Sequence, residues 1–531
     1  MTTPMRSLPA RTLGEWTLHS SRPYANPFTD LRLDASFTGP SGQTFTLPGF
    51  FDGNATWRVR FNPDAAGRWR YRISAQPADP GLTVEGEFEV TLATGPGFLR
   101  ATPGEAWGFR DEAGDPVFIF GDTVYNLFGM AYCGVDVVPF LRRRAEQGFN
   151  FLRCRLPMSL YHPPEGFNQW MDRRIWPWGG SETVPLFDRF NLDYFAVVDA
   201  VMREIEALGL RVELIMEGWG FEFPYNNRQV FLPEWEELWM RYLIARYDAF
   251  TCVASWTPLN EYEYYPDGIF RHTPVADRWA MRIGRWIKSV AQHGHLVTAH
   301  NGPRLPPFAE RFATDPGAID AILFQDWGSR GETDGWLTAG LDDQIAQSLA
   351  GWTGSAVLAE YGYEVNPELP LLIPAHQYCD ADHTRRGAWR GAFSGLGIIH
   401  GFDNSWGMHA ILDRDQPGLA YLLHLRRFFT EFVPFAALRP APDLIAGEAF
   451  PAGRRPLALA TPDRSTVAAY LTTGGAVRLN LPADRSRSGR WFDPRTGAFA
   501  RRAVADETGA YAAPGGGGER PFDWVLVLDG A

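Results

Sequence analysis

Ser255-Trp256-Thr257-Pro258-Leu259-Asn260-Glu261-Tyr262-Glu263 and Ala356-Val357-Leu358-Ala359-Glu360-Tyr361-Gly362 are two short apolar runs, each reaching a glutamate. A run of this length reads as a buried strand. A carboxylate where such a strand emerges is costly to desolvate and adds little packing. Two of them, on separate strands of one barrel, predict a site where one carboxyl gives a proton and the other attacks or stabilises. The surrounding sequence decides whether that barrel forms.

From about 98 to 435 the pattern is strand then helix, repeatedly. Strands are predicted at Val117–Gly121, Phe149–Leu156, Arg211–Glu217, Val253–Leu259, Leu296–His300, Ala318–Phe324, Ala356–Glu360 and Gly397–Phe402. Helix-period segments follow at Val135–Gln147, Tyr194–Leu208, Pro233–Tyr247, Val275–His293, Pro306–Phe312, Leu341–Gly351, Thr384–Phe393 and Leu419–Phe432. Gln147-Gly148, Leu208-Gly209 and His293-Gly294 are helix stops. Eight alternating pairs predict an α/β chain with a (β/α)8 TIM barrel. A doubly wound sheet would place a Gly-rich turn after its first strand, where Phe120-Gly121-Asp122-Thr123-Val124-Tyr125 carries none.

The flanks read differently. Residues 1–97 hold short alternating strands, among them Glu15–Leu18, Leu31–Phe37, Thr44–Pro48, Thr56–Phe61, Gly67–Ile73 and Gly86–Val90, divided by Gly, Pro and Asp. Residues 436–531 repeat the pattern at 457–461, 466–471, 476–481, 489–493 and 522–528. Each predicts a β-sandwich, so the expected order is N-terminal sandwich, catalytic barrel (98–435), C-terminal sandwich.

Composition narrows the function. A net charge of −12 over 531 residues argues against nucleic acid, which needs clustered Lys and Arg. Cys133, Cys154, Cys252 and Cys379 lie far apart, with neither a disulfide framework nor a zinc ribbon. Met1–Ala10 has no apolar h-region, and no run of about 18 apolar residues occurs, which predicts a cytoplasmic protein without a membrane partner. The 20 Trp residues include Trp170, Trp176, Trp178, Trp219 and Trp406 in loop-like contexts. Flat amphipathic rings there suit the C–H faces of sugars.

A barrel of this kind builds its site at the C-terminal strand ends. Those ends are polar throughout: Asp122; Arg153 and Arg155; Glu217-Gly218-Trp219; Asn260-Glu261; His300-Asn301; Gln325-Asp326-Trp327; Glu360-Tyr361; Asp403-Asn404-Ser405-Trp406. Asn-Glu closing strand 4 and Glu closing strand 7 resemble clan A of the glycoside hydrolases. Gly148-Phe149-Asn150-Phe151-Leu152-Arg153 resembles that clan's strand 2. The runs Tyr24–Asp30, Pro48–Gly53 and Arg60–Pro63 resemble the β-sandwich preceding many such enzymes. Pro116–Phe128 and Trp491-Phe492-Asp493-Pro494-Arg495-Thr496-Gly497 resemble apiosidase-like glycoside hydrolases with a collagen-binding-like C-terminal domain.

The resemblance implies a retaining enzyme that uses no cofactor or metal and takes a carbohydrate substrate. Glu261 would be the acid/base and Glu360 the nucleophile, about 5–5.5 Å apart. Asn260 would hold the 2-hydroxyl and Arg153 would keep Glu360 ionised. Asp122, Trp219, His300, Gln325, Asp326, Tyr363 and Trp406 complete the expected substrate-binding set. Gln325-Asp326 departs from the clan's strand-6 tyrosine, which leaves the usual contact to the nucleophile unaccounted for. The resemblance leans toward pentose or plant-polysaccharide side chains.

Alternatives stay open for single residues. Glu263 or Glu364 could replace a member of the pair, Arg153 could neutralise a core acid, and His300 could be a barrel-end histidine. Asp122 could cap a helix, and Trp406 could pack in the core. His293-Gly294-His295 resembles a metal pair but falls before strand 5, on the stability face. A non-catalytic carbohydrate-binding or adhesion protein would suit the Trp content, though it needs no buried acid pair. A transglycosylase would share every residue of the site.

Overall fold

The computed structural model describes residues 7–105, 107–157, 176–302, 306–326, 340–364, 378–402, 415–447, 450, 454–481, 487–515 and 522–530. Eight parallel strands close a barrel: β1 (Phe120–Thr123), β2 (Phe151–Arg155), β3 (Arg211–Trp219), β4 (Val253–Asn260), β5 (Leu296–Ala299), β6 (Ala321–Gln325), β7 (Ser355–Glu360) and β8 (Gly397–Phe402). Each pairs with the next, and β8 returns to β1. The first strand begins later than its apolarity predicts. Pro116–Ile119 belong instead to a floor: Val117 N donates to Phe109 O, beside the hairpin Leu99–Ala101/Phe109–Asp111. Leu99, Phe109, Val117 and Ile119 pack there with Phe151, Leu323, Val357 and Ile399, closing the barrel interior.

Helices α1 (Leu127–Tyr132), α2 (Val138–Glu146), α3 (Leu192–Ala207), α4 (Pro233–Tyr247), α5 (Pro274–Val290), α6 (Phe308–Arg311), α7 (Leu341–Ser348), α8 (Ala381–Phe393) and α9 (Pro417–Arg427) surround the strands. Helix α5 illustrates why they form. Thr273 caps its first turn, Pro274 opens it, and Ala276, Trp279, Ala280, Ile283 and Ile287 bury one stripe. The short helix α1 was not legible in the sequence, because four buried residues from Leu127 to Met130 blur any periodicity.

The N-terminal domain is a sandwich of a five-stranded and a three-stranded sheet around Trp16, Phe37, Phe61, Trp69 and Phe88. It docks on the barrel's helices through polar residues. Arg60 pairs with Asp199 of α3 at 2.5 Å, and Arg246 of α4 reaches the same carboxylate at 2.9 Å. The His293/His295 pair serves this joint. His293 Nδ1 lies 2.7 Å from Asp248, its Nε2 accepts from Asn62 N at 3.0 Å, and His295 Nε2 meets Asp248 O at 2.6 Å. The two histidines therefore sit beneath the barrel, tying it to the sandwich.

The C-terminal domain is a six-stranded sheet with a separate two-stranded ribbon. One face continues the barrel's core: Tyr470 and Phe492 pack on Trp389 of α8. Arg385 of α8 and Asp523 form a buried ion pair at 2.9 Å across the same joint.

Candidate active site

The carboxylate of Glu360 accepts hydrogen bonds from three elements, with a histidine from a fourth beside it. Oε1 accepts from the phenol of Tyr125 and from Arg153 Nη1 at 2.9 Å, with His300 Nε2 3.4 Å away. Oε2 accepts from Tyr363 OH at 3.0 Å. A bulge puts the residue there: β6–β7 register passes from Phe324↔Leu358 to Gln325↔Glu360, skipping Ala359. Bulges beside active sites re-aim side chains in this way. Burial, reinforced by the charge of Glu360, holds both phenols well above their usual pKa, so they remain donors.

Arg153 is the hub. Burial alone would lower its pKa, but Glu213, Tyr125 and Glu360 outweigh that and hold it cationic. Its Nε donates to Glu213 at 2.7 Å and its Nη2 to Asn260 Oδ1 at 2.8 Å. The second Glu213 oxygen accepts from Thr257 at 2.5 Å, and Thr257 bonds Thr298 at 2.6 Å. With Oδ1 of Asn260 fixed on the arginine, its amide nitrogen is turned elsewhere. Glu213 was missed in the sequence, although an acid inside the apolar run Arg211–Glu217 was a usable signal.

Glu261 follows Asn260 in a left-handed conformation (φ 51, ψ 63), an uncommon one for glutamate that marks a constrained position. Its Oε1 accepts from Gln325 Nε2. Burial, then the charge of Glu360, raises its pKa to about 8. The direction is understandable: one guanidinium already serves two carboxylates, and a third charge would be unpaired. His300 bridges the two glutamates. Its Nδ1 accepts from Glu261 N at 3.4 Å, which assigns the hydrogen to Nε2, facing Glu360. Burial, with help from Arg153, depresses the His300 pKa well below normal, so the ring is neutral.

The structure thus brings together Glu261, Glu360, Arg153, Asn260, His300, Gln325 and Tyr363. Asp122 does not join them. In register Thr123 aligns with Arg153 and Asp122 with Leu152, so Asp122 faces the helix layer, where Arg144 of α2 pairs with it at 2.6 Å. It caps no helix and lies apart from the glutamates, so the sequence placed it on the wrong face. Trp219 is 1% exposed, with the Arg155 guanidinium 3.9 Å above its ring and Phe221 stacked on it. Asp326 is tied by its backbone, its N donating to Glu360 O at 3.0 Å. Trp406, with Asp403, Asn404, Ser405, Trp327 and Trp170, lies outside the described residues. Glu263 is paired with Arg311, and Glu364 accepts from Thr384 at 2.9 Å and Gly418 N at 2.7 Å; both are structural ties. Strand β6 ends in Gln325 without a tyrosine, and the two tyrosines that bond Glu360, Tyr125 and Tyr363, come from other elements.

Residues 106–430 match the family model described as "Apiosidase-like, catalytic domain". Residues 12–76 match a domain of unknown function (DUF5060), and 440–529 match a "Putative collagen-binding domain of a collagenase". No curated protein sequence matches the chain. Among solved structures, a "putative glycoside hydrolase" from Bacteroides vulgatus ATCC 8482 superposes with a TM-score of 0.70 at 16% identity, covering 99% of this chain and 100% of that one. A family 5 glycoside hydrolase from the same strain gives 0.57 at 16% identity, covering 82% and 93%. At this identity the two likenesses establish the fold.

Proposed function

The chain belongs to the apiosidase-like family and is a glycoside hydrolase, and on that premise we propose a retaining double displacement with Glu360 as nucleophile and Glu261 as acid and base. One observation carries this reading: a carboxylate held by Tyr125, Arg153 and Tyr363 stands near a second carboxyl whose pKa is raised to about 8. The first environment stabilises an anion and the second a proton. That division of labour between two carboxyls is what glycoside cleavage uses.

In the first step a Glu360 oxygen bonds to the anomeric carbon while the carbon–oxygen bond to the leaving group breaks. The Glu261 proton passes to the departing oxygen. In the second, Glu261 takes a proton from water, the water oxygen bonds to the anomeric carbon, and the bond to Glu360 breaks. Glu261 ends protonated and Glu360 ionised, as they began. Asn260 offers its amide nitrogen to the sugar's 2-hydroxyl. His300 positions both glutamates as a neutral ring.

The substrate we propose is a terminal residue of a short oligosaccharide or plant-polysaccharide side chain, with pentofuranosides first. The family description supports that choice. The test is a screen of aryl glycosides, apiofuranosides and arabinofuranosides included, following by NMR the anomer first released. Retention is expected, with Glu261→Gln and Glu360→Gln slowed about 10²–10⁴-fold. Inversion, or near-normal rates in either variant, would refute the assignment.

A further inference from the structure

Glu261, on the reading above, protonates the leaving group, so the surface beyond it at the barrel mouth lies on the leaving-group side. A line of rings runs there. Trp219 at the end of β3 stacks on Phe221 (centroids 5.4 Å, planes 12° apart). Phe221 meets Tyr264 edge-on at 5.1 Å, and Tyr264 meets Phe270 at 5.2 Å. Tyr264 belongs to the turn that Glu261 begins, its N donating to Glu261 O at 3.0 Å. Phe221 and Phe270 are 37% and 39% exposed, and Ile269 is 57% exposed.

The backbone fixes these rings. A methyl group on Gly220 would collide with Tyr264 Cβ, and one on Gly302 with the Phe270 ring. One on Gly268 would stand 2.9 Å from Gly220 O. Loops after β3, β4 and β5 interlock at these glycines, so the ring positions are set before any ligand arrives. Pre-ordered groups lose little entropy on binding. The rim is polar: Asp267 and Arg271, an exposed ion pair at 2.6 Å, flank Ile269-Phe270 in sequence. Exposed aromatic surface beside hydroxyl-bonding groups suits the C–H patches and hydroxyls of sugar rings.

We propose that Phe221, Tyr264 and Phe270 form a stacking platform for the leaving group, and that this group is a sugar chain at least two rings long. Phe221 and Phe270 determine specificity, with Tyr264 joining them and Trp219 backing Phe221 from the interior. The enzyme then trims a terminal residue from an extended carbohydrate rather than splitting a disaccharide. The proposal rests on Glu261 being the acid.

The experiment compares two substrates on the full chain. One is the apiofuranosyl fluoride, whose leaving group cannot reach the platform. The other carries the same glycosyl group on three further sugar rings; if the screen identifies another glycosyl group, both probes carry that one. For Phe221→Leu and Phe270→Leu, kcat/KM on the oligosaccharide should fall about tenfold more than on the fluoride, mainly through KM. Phe221→Tyr and Phe270→Tyr should restore it. Equal losses on both substrates, or none on the oligosaccharide, would overturn the platform. A Glu261→Gln variant that cleaves the oligosaccharide at the wild-type rate would instead overturn the reading beneath it.

Discussion

Glu261 and Glu360 are chemically identical side chains separated in behaviour by their neighbours. Three hydrogen-bond donors stabilise charge on Glu360, whereas Glu261 has one neutral amide donor and a nearby negative charge. The first consequence is a pH profile. With Glu261 protonated up to about pH 8, kcat/KM should fall as pH rises through that value, and the fall should vanish on glycosyl fluorides, which need no acid. Stability carries the same sign. An unfolded glutamate titrates near pH 4.3, so between about 4 and 8 the folded chain binds the extra proton and loses stability as pH rises. The Tm of Glu261→Gln relative to wild type should therefore climb across that window; a constant difference would contradict the assignment. Arg153 supplies the second prediction. Its guanidinium meets Glu213, Glu360 and Asn260 at once, a fork that lysine cannot reproduce. Arg153→Lys should lower kcat about 10–100-fold, because Glu360 and Asn260 lose donors that hold them in place.

At the scale of elements, the eight strands were legible because a parallel barrel buries each as an apolar run, and the strand-end acids stood out against it. What the sequence hid was direction. Asp122 and Thr123 are neighbours on β1, and only the register against Arg153 reveals that Thr123 faces inward and Asp122 outward. Bulges are equally silent. The slip between β6 and β7 aligns Glu360 with Gln325, and a similar slip between β3 and β4 aligns Trp219 with Asn260. Tyr125 was unreadable for a related reason: a tyrosine just past a strand end carries no signal until the chain folds it onto Glu360, 235 residues away. The loop contacts make a further prediction. Gly220→Ala must displace Tyr264, and with it the turn that begins at Glu261. A kcat/KM loss of tenfold or more is expected, against a stability cost of about 1–3 kcal/mol; unchanged activity with unchanged Tm would show that the approach is not rigid.

Across the whole molecule, the three segments share interfaces built from buried charge. The motifs that resembled a family's β-sandwich are largely docking residues: Asn26 donates to Asp188 at 2.6 Å, Arg60 pairs with Asp199, and Asn62 meets His293. Sequence similarity marked them without revealing what they join. At the other joint Asp523 is fully buried and accepts from Arg385 and from Tyr470 at 3.1 Å. Arg385→Leu takes the nearest cation from that buried carboxylate, leaving it Tyr470 and the more distant Arg386 at 3.7 Å, and should destabilise the joint between barrel and C-terminal domain by about 3 kcal/mol, read as a lowered or split thermal transition. The barrel these joints support exists, on this account, to place one carboxylate against an anomeric carbon. That claim is tested most directly by trapping the intermediate. The 2-deoxy-2-fluoro fluoride of the glycosyl group that turns over should add one sugar mass to the intact chain, and peptide mapping should place it on Glu360. No adduct under inactivating conditions, or a label on Glu261 or any other residue, would contradict the account.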